Sequence, residues 1–369
     1  MNKAGRGILA INAGSSTIKA ALFESVDPSH RTIDEAIELP KRGDAGRLFL
    51  KRLDRRVDWG GVEAVGHRVA FGMDHFKPER ATPALLAKLR RWVVYDPDHL
   101  PLELELIEAL RRRCPGLPQI VCYDTAFHQR MPRVAKMLPI PRALEARGVR
   151  RYGFHGLSYS YLMEELARVA GRAAARGRVI LAHLGSGSSL AAVRNGANVD
   201  TSMGFSTASG VMMGTRAGDL DPGVLCYLLR RHRWAPERLI RMIHHESGLL
   251  GVSETSADMR ELLARERRDG RAAEAVALYC HEVRKALGAF AAELGGLDTL
   301  VFSGGIGEKS APIRERICEG LDYLGIRLDD RRNEAPEGLI SKGRAAVWVI
   351  RTDEELMIAR LAASALTGR

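Results

Sequence analysis

Four short polar words stand among apolar residues and hold groups that could handle anions. They are Gly66-His67-Arg68, Tyr123-Asp124-Thr125-Ala126-Phe127-His128, Gly153-Phe154-His155-Gly156 and Met213-Gly214-Thr215-Arg216-Ala217-Gly218-Asp219. Each could equally be a buried polar group satisfied for structure alone, since buried polar side chains need partners. Together they offer two arginines, histidines and an aspartate to one anionic site. Arginine suits that work because its planar fork matches carboxylate and phosphoryl oxygens and its charge survives in a closed site.

Three glycine-rich turns add phosphate chemistry: Ala13-Gly14-Ser15-Ser16, Gly185-Ser186-Gly187-Ser188-Ser189 and Ser303-Gly304-Gly305-Ile306-Gly307-Glu308. Where side chains are missing, several backbone N–H groups can point at one anion. One such turn is a weak signal beside an ordinary hairpin, but three shift the reading toward phosphate. None has the Gly-Lys-Ser ending of a P-loop and none continues as Gly-x-Gly-x-x-Gly, so P-loop and hydride-transfer folds are disfavoured.

The elements that must position these groups are legible. Ile8 to Ile11 and Thr17 to Phe23 read as a hairpin around the first turn, and the pattern returns about 170 residues later at Val179 to Leu184 and Leu190 to Val193. The chain reads as internally duplicated. The third turn follows a strand at Thr299 to Phe302 and precedes a helix with Pro312 in its first turn. Thr82-Pro83, Asp221-Pro222 and Ala235-Pro236 predict three more helix starts. Thr352-Asp353-Glu354-Glu355 has capping-box spacing and predicts a last helix through Met357, Ile358, Leu361 and Ala365, giving Glu354 and Glu355 a structural role as well. Strands and helices alternate in an α/β pattern. The expected division is 1–148 with a returning helix at 357–369, and 149–356.

Composition sets bounds. The 369 residues suffice for two hydrophobic cores, and 46% hydrophobic with 27% charged residues is a globular balance. No apolar stretch approaches the roughly 20 residues that cross a bilayer, and the first residues form no secretory apolar region, so a cytoplasmic protein without membrane partners is expected. Cys114, Cys122, Cys226, Cys280 and Cys318 are odd in number and lack Cys-x-x-Cys spacing, which predicts buried free thiols and no zinc. The net charge of +11 is spread over scattered arginines and reads as solubility rather than nucleic-acid binding.

In order along the chain, Asn12-Ala13-Gly14-Ser15-Ser16, Gly66-His67-Arg68, Asp124-Thr125-Ala126-Phe127-His128-Gln129 and Arg151-Tyr152-Gly153-Phe154-His155-Gly156 resemble acetate kinases. So do Asp200-Thr201-Ser202-Met203-Gly204-Phe205, Met212-Met213-Gly214-Thr215-Arg216, Gly305-Ile306-Gly307-Glu308 and Glu354-Glu355-Leu356-Met357-Ile358-Ala359-Arg360. The resemblance to this acetate and propionate kinase family covers nearly the whole chain. It implies a duplicated actin-like ATPase (ribonuclease H-like) fold with two domains around a nucleotide cleft, usually as a homodimer. It also implies phosphoryl transfer between ATP and a short carboxylic acid, acetate first, reversible from acyl phosphate and ADP, with Mg2+ or Mn2+.

The resemblance carries roles to residues. Arg68 and Arg216 would grip the acid and the phosphoryl in flight, with His155 and Asp124 beside them as catalytic residues. Ala70, Asp98, His99, Phe154 and Thr207 would bind the acid. Asn12, Ser15, Thr17, Lys19, His183, Gly185, Ser186 and Gly187 would face the phosphates. Asp258, Met259, Arg260, Gly304, Gly305, Ile306 and Gly307 would contact the nucleotide. Asn12 and Glu354 would position the metal, with Asp124 beside it.

Departures from the family pattern cluster near the acid. Ala70 and Phe71 stand in Gly-His-Arg-Val-Val-His, Asp98 in Pro-Leu-His-Asn-Pro, Thr207 in Gly-Phe-Thr-Pro, Ser186 in Leu-Gly-Asn-Gly, and Tyr159 replaces a histidine. Ala70, Asp98 and Thr207 would enlarge and polarise the pocket toward propionate or a hydroxylated acid. The other readings are a pyrophosphate-dependent kinase, an actin-like nucleotide-binding protein that transfers nothing, and, with charge alone behind it, a nucleic-acid module.

Overall fold

A computed structural model describes residues 7–14, 17–24, 30–38, 45–334 and 337–368. The chain divides into two compact units, one of residues 1–129, 156–161 and 353–369, the other of 130–155 and 162–352.

The first unit is built on a six-stranded sheet of β1 (Gly7–Ala13), β2 (Thr17–Glu24), β3 (Arg31–Glu38), β4 (Val62–Val69), β5 (Glu79–Arg80) and β6 (Gln119–Tyr123), in the order β3-β2-β1-β4-β6-β5. β1 and β2 form the expected hairpin, while β1, β4 and β6 run parallel. Side chains alternate across a strand, and β1 is buried on both faces. Leu9, Ile11 and Ala13 pack with Phe49, Leu106 and Leu110 on one side. Ile8 and Ala10 pack on the other with Ile358, Ala359 and Ala362 of the helix Glu354–Thr367. The last helix therefore closes the first core although it lies at the far end of the chain.

The second unit repeats the plan with β7 (Arg178–Leu184), β8 (Ser188–Arg194), β9 (Ala197–Thr201), β10 (Thr299–Ser303), β11 (Gly338–Leu339) and β12 (Ala346–Val349), in the order β11-β12-β10-β7-β8-β9. The two orders correspond strand for strand, an antiparallel hairpin followed by parallel neighbours, and this is the duplicated actin-like arrangement. The 25-residue helix Gly270–Leu294 covers this sheet with Val276, Tyr279, Val283, Leu287, Phe290 and Leu294, the three-and-four spacing of one buried helix face. Asp269 caps its start and Gly295, at φ +70°, its end.

The expected starts at Thr82, Asp221 and Ala235 lead into helices Pro83–Trp92, Pro222–Arg231 and Pro236–His245. Three expectations are corrected. The last helix is capped by Asp353, whose carboxylate accepts the Leu356 amide, and not by a Thr352 box. The third glycine turn is itself a short helix, Gly304–Lys309, ahead of the Pro312 helix Ala311–Cys318. All five cysteines are free, but Cys226 is exposed and Cys114 half-buried. Among the described residues no helix is long and apolar enough to cross a membrane.

Candidate active site

Parallel strands bring their carboxyl ends side by side, where open α/β sheets bind ligands. In the first unit Asn12 lies near the end of β1, Arg68 near the end of β4 and Asp124 just past β6, all three buried. Arg68 Nη1 donates to the Ala13 carbonyl (2.8 Å) and to Glu103 Oε1 (3.3 Å), and Nη2 donates to Asp124 Oδ2 (3.0 Å). Among the described residues no acceptor meets its Nε–H or its second Nη2–H, so one edge of the guanidinium stays open for an anion. Burial lowers the proton affinity of Arg68, but the charges of Asp124, Glu103 and Glu354 raise it further, and it stays cationic.

Asp124 is held from behind. Its Oδ1 accepts the Leu157 amide (3.1 Å) and its carbonyl accepts the Gly156 amide (2.9 Å). A Cβ on Gly156 would sit 2.0 Å from that carbonyl, so only glycine permits the approach. Asn12 Nδ2 donates to Glu354 Oε2 (2.8 Å) and Glu355 Oε1 (2.9 Å), tying β1 to the start of the last helix. Burial, and then the charge of Asp124, push the Glu354 carboxyl upward against the pull of Arg68; burial pushes Glu355 the same way. A cation would relieve that crowding of acids. Among the described residues no group of three or more His, Cys, Asp or Glu side chains could hold a metal by itself. Mg2+ needs no such cage, since it takes one or two carboxylates plus phosphate oxygens and water.

His99 is buried, with Nδ1 2.8 Å from Asp96 Oδ1. Ala70 is fully buried and its amide donates to both Glu103 oxygens (3.1 Å each), and Asp98 is half-buried. Thr17 opens β2, and Lys19, opposite Asn12, acts on the Glu354 and Glu355 charges. Ser15 lies outside the described residues.

The second unit holds its own cluster. His155 adopts φ +58°, a left-handed backbone that costs a non-glycine residue about 1–3 kcal/mol and so signals a position held for a purpose. Its Nδ1 pairs with Ser189 Oγ (2.8 Å), and its ring stacks on His183 with centroids 4.4 Å apart. Gly187 lies against both His155 and Arg216, since a Cβ there would fall 3.2 Å from His155 Nε2 and 3.5 Å from Arg216 Nη1. Arg216 Nη1 donates to the Thr207 carbonyl (3.2 Å), and Phe154 and Thr207 are buried. The Gly185 amide closes the hairpin on Gly187, and the Ser186 carbonyl accepts the Gly214 amide.

Gly304, at φ +75°, packs on the Leu184 carbonyl, where a Cβ would stand 2.6 Å away. Gly305 is exposed, Ile306 half-buried and Gly307 buried. The Glu308 carboxylate accepts the amides of Gly304 and Thr352, fixing the turn. Asp258 caps the helix Met259–Arg265 and pairs with the exposed Arg260, while Met259 joins the core.

The expected set thus falls into two groups. Asn12, Thr17, Lys19, Arg68, Ala70, Asp98, His99, Asp124 and Glu354 belong to the first unit, and Phe154, His155, His183, the Gly185–Gly187 turn, Thr207, Arg216, 258–260 and 304–307 to the second. Glu103 and Asp96 were not anticipated, while Glu355 and Ser189 stood in the quoted motifs without a site role. Glu103 left a signal, because Leu100, Leu104 and Ile107 set the buried face of helix Leu100–Arg113 and Glu103 sits on it.

A sequence model of the Acetokinase family matches residues 33–360. The chain is 42% identical to the acetate kinase of Rhodopseudomonas palustris, over 96% of this chain and 96% of that protein. It is 44% identical to the propionate kinase of Citrobacter rodentium, over 96% and 95%. The crystal structure of Porphyromonas gingivalis acetate kinase superposes with a TM-score of 0.86 at 32% identity, covering 98% of this chain and 100% of that one.

Proposed function

The chain belongs to the acetokinase family, and from that premise we propose that it transfers the γ-phosphoryl group of ATP to a short-chain carboxylate, acetate foremost and propionate as the alternative. One carboxylate oxygen attacks the γ-phosphorus, the bond to the ADP oxygen breaks, and acyl phosphate and ADP result. The reverse direction makes ATP.

The observation that carries this reading is the open edge of Arg68, held by Asp124 and Glu103 at the ends of parallel strands. A short carboxylic acid, with a pKa of roughly 4 to 5 like side-chain carboxyls, is already ionised and needs no general base. It needs cations that hold it against a second anion. By the family resemblance Arg68 and Arg216 would supply them, and His155, its Nδ1 paired with Ser189, would offer its Nε2 to the group in transfer. Asn12 and Glu354, with Asp124 nearby, would hold Mg2+, which when bound neutralises phosphate charge. The Gly185–Gly187 turn and the 304–307 turn would take the nucleotide, with Asp258 and Arg260 at its edge. The five free cysteines suit the cytoplasmic setting expected for such an enzyme.

A hydroxamate trap with Mg-ATP and acetate, propionate, butyrate or lactate tests the proposal. Acyl hydroxamate should form, and Arg216→Ala should abolish it. ATP binding without hydroxamate from any acid would return the chain to the non-transferring reading. The same assay ranks the acids, and a wide lead for acetate would remove the idea that Ala70, Asp98 and Thr207 favour a larger one.

A further inference from the structure

Two buried carboxyls stand near the proposed acid-binding arginine, and neither is asked to touch the substrate in the transfer just proposed. Glu103 is 2% exposed and Asp96 4%. Asp96 Oδ1 pairs with His99 Nδ1, while its Oδ2 is buried and has no hydrogen-bond partner among the described residues. Glu103 accepts the Ala70 amide on both oxygens and receives Arg68 Nη1 on Oε1. It therefore binds the two ends of one short stretch, the arginine at the end of β4 and the backbone that follows it.

The arrangement carries a surplus of acid. One guanidinium faces Asp124, Glu103 and Glu354, yet the site must admit an anionic substrate. If Glu103 were ionised there, it would compete with the incoming carboxylate for the same cation. Burial pushes the Glu103 carboxyl up to about 8; Arg68 opposes this, Asp96 adds to it, the Ala70 amide opposes it and Asp124 adds to it. Those are the groups around it, with His99 attached through Asp96 and Glu354 acting on Arg68.

We infer that Glu103 is a positioning residue for the acid substrate: it clamps Arg68 and the Ala70 amide so that the open guanidinium edge is presented to the carboxylate. The inference rests on the kinase reading above. With Glu103 protonated, Arg68 keeps its attraction for the acid; once the proton leaves, the new charge opposes the substrate. The acid KM is therefore flat through neutral pH and climbs above about pH 8, while the nucleotide KM does not follow it.

The test is steady-state kinetics with the acid varied at saturating Mg-ATP, from pH 6 to 9, on the full chain and on Glu103→Gln and Glu103→Ala. Glutamine keeps acceptors for Ala70 and Arg68 without the charge. It should hold the acid KM within about threefold of wild type at neutral pH and erase the alkaline rise. Alanine should raise the acid KM roughly tenfold or more and change the ATP KM far less. An alanine variant with an unchanged acid KM, a glutamine variant as impaired as alanine, or one that keeps the alkaline rise, overturns the inference. If the alanine variant does not fold, the glutamine profile decides. Wild-type protein without acid-dependent turnover removes the kinase reading and this inference together, whereas active wild type with indifferent variants removes this inference alone.

Discussion

Arg68 is a structural residue to which we also assign a part in the chemistry. It neutralises Asp124 and donates to Glu103 in a buried place, so removing it outright would strand the Asp124 charge, a loss of about 3–5 kcal/mol for a broken buried pair. An alanine variant would thus confuse stability with catalysis. Arg68→Lys keeps the charge and loses the fork. We expect kcat/KM for the acid to fall roughly a hundredfold, with the ATP KM nearly unchanged and thermal melting close to wild type. A lysine enzyme as fast as wild type would mean that charge alone suffices at this position. Arg68, Asp124 and His155 were legible in the sequence because short polar words among apolar residues are conspicuous. Glu103 was passed over, although the spacing of Leu100, Leu104 and Ile107 puts it on the buried face, because a glutamate in an amphipathic helix is ordinarily read as part of the wet face. Its partners, the Arg68 guanidinium and the Ala70 amide, lie more than 30 residues away in the chain.

At the scale of elements, strand ends and helix starts do the placing. The hairpin turns, the duplicated strands and the proline-marked helices all follow from local pattern. The start of the last helix was misplaced by one residue, since Thr352 and Asp353 are both good caps and only distant partners choose between them. The Thr352 amide is drawn to Glu308, and Asp353 is fixed by Arg31 at 2.6 Å while it accepts the Leu356 amide. This choice has a functional consequence, because Glu354 is the first residue after the cap and meets Asn12. Asp353→Ala should therefore cost about 1 kcal/mol of stability, the usual price of a lost cap, with the partly exposed Arg31 pair adding little. Urea unfolding measures that loss. The same variant should raise the Mg2+ concentration for half-maximal activity several-fold, as the Glu354 carboxylate loses its fixed approach. An unchanged Mg2+ requirement would separate the cap from the metal.

At the scale of the molecule, the chain repeats one strand plan in two sheets of the same order and varies the side chains at the strand ends. A different surface of the second unit is exposed. The helices Pro222–Arg231 and Pro236–His245 contain no buried residue, and Val224 (44% exposed), Tyr227 (56%) and Ile240 (47%) stand in water. The pair is braced within itself, Tyr227 against His232, His232 against Trp234, and Arg238 over the Trp234 ring at 4.4 Å. Exposed apolar side chains gathered on one helix pair predict association through that surface. A second copy of this chain is the occupant that the family resemblance implies. Net charge of +11 opposes the meeting of two copies, so apolar contact must supply the attraction, and added salt should strengthen the pairing by screening that repulsion. Light scattering behind size exclusion should return twice 40.6 kDa. Val224→Asp with Tyr227→Asp should return a monomer that is still folded, because neither side chain is part of a core. A wild-type monomer at tens of micromolar protein, well above the Kd of a stable dimer, would assign that surface to some other partner.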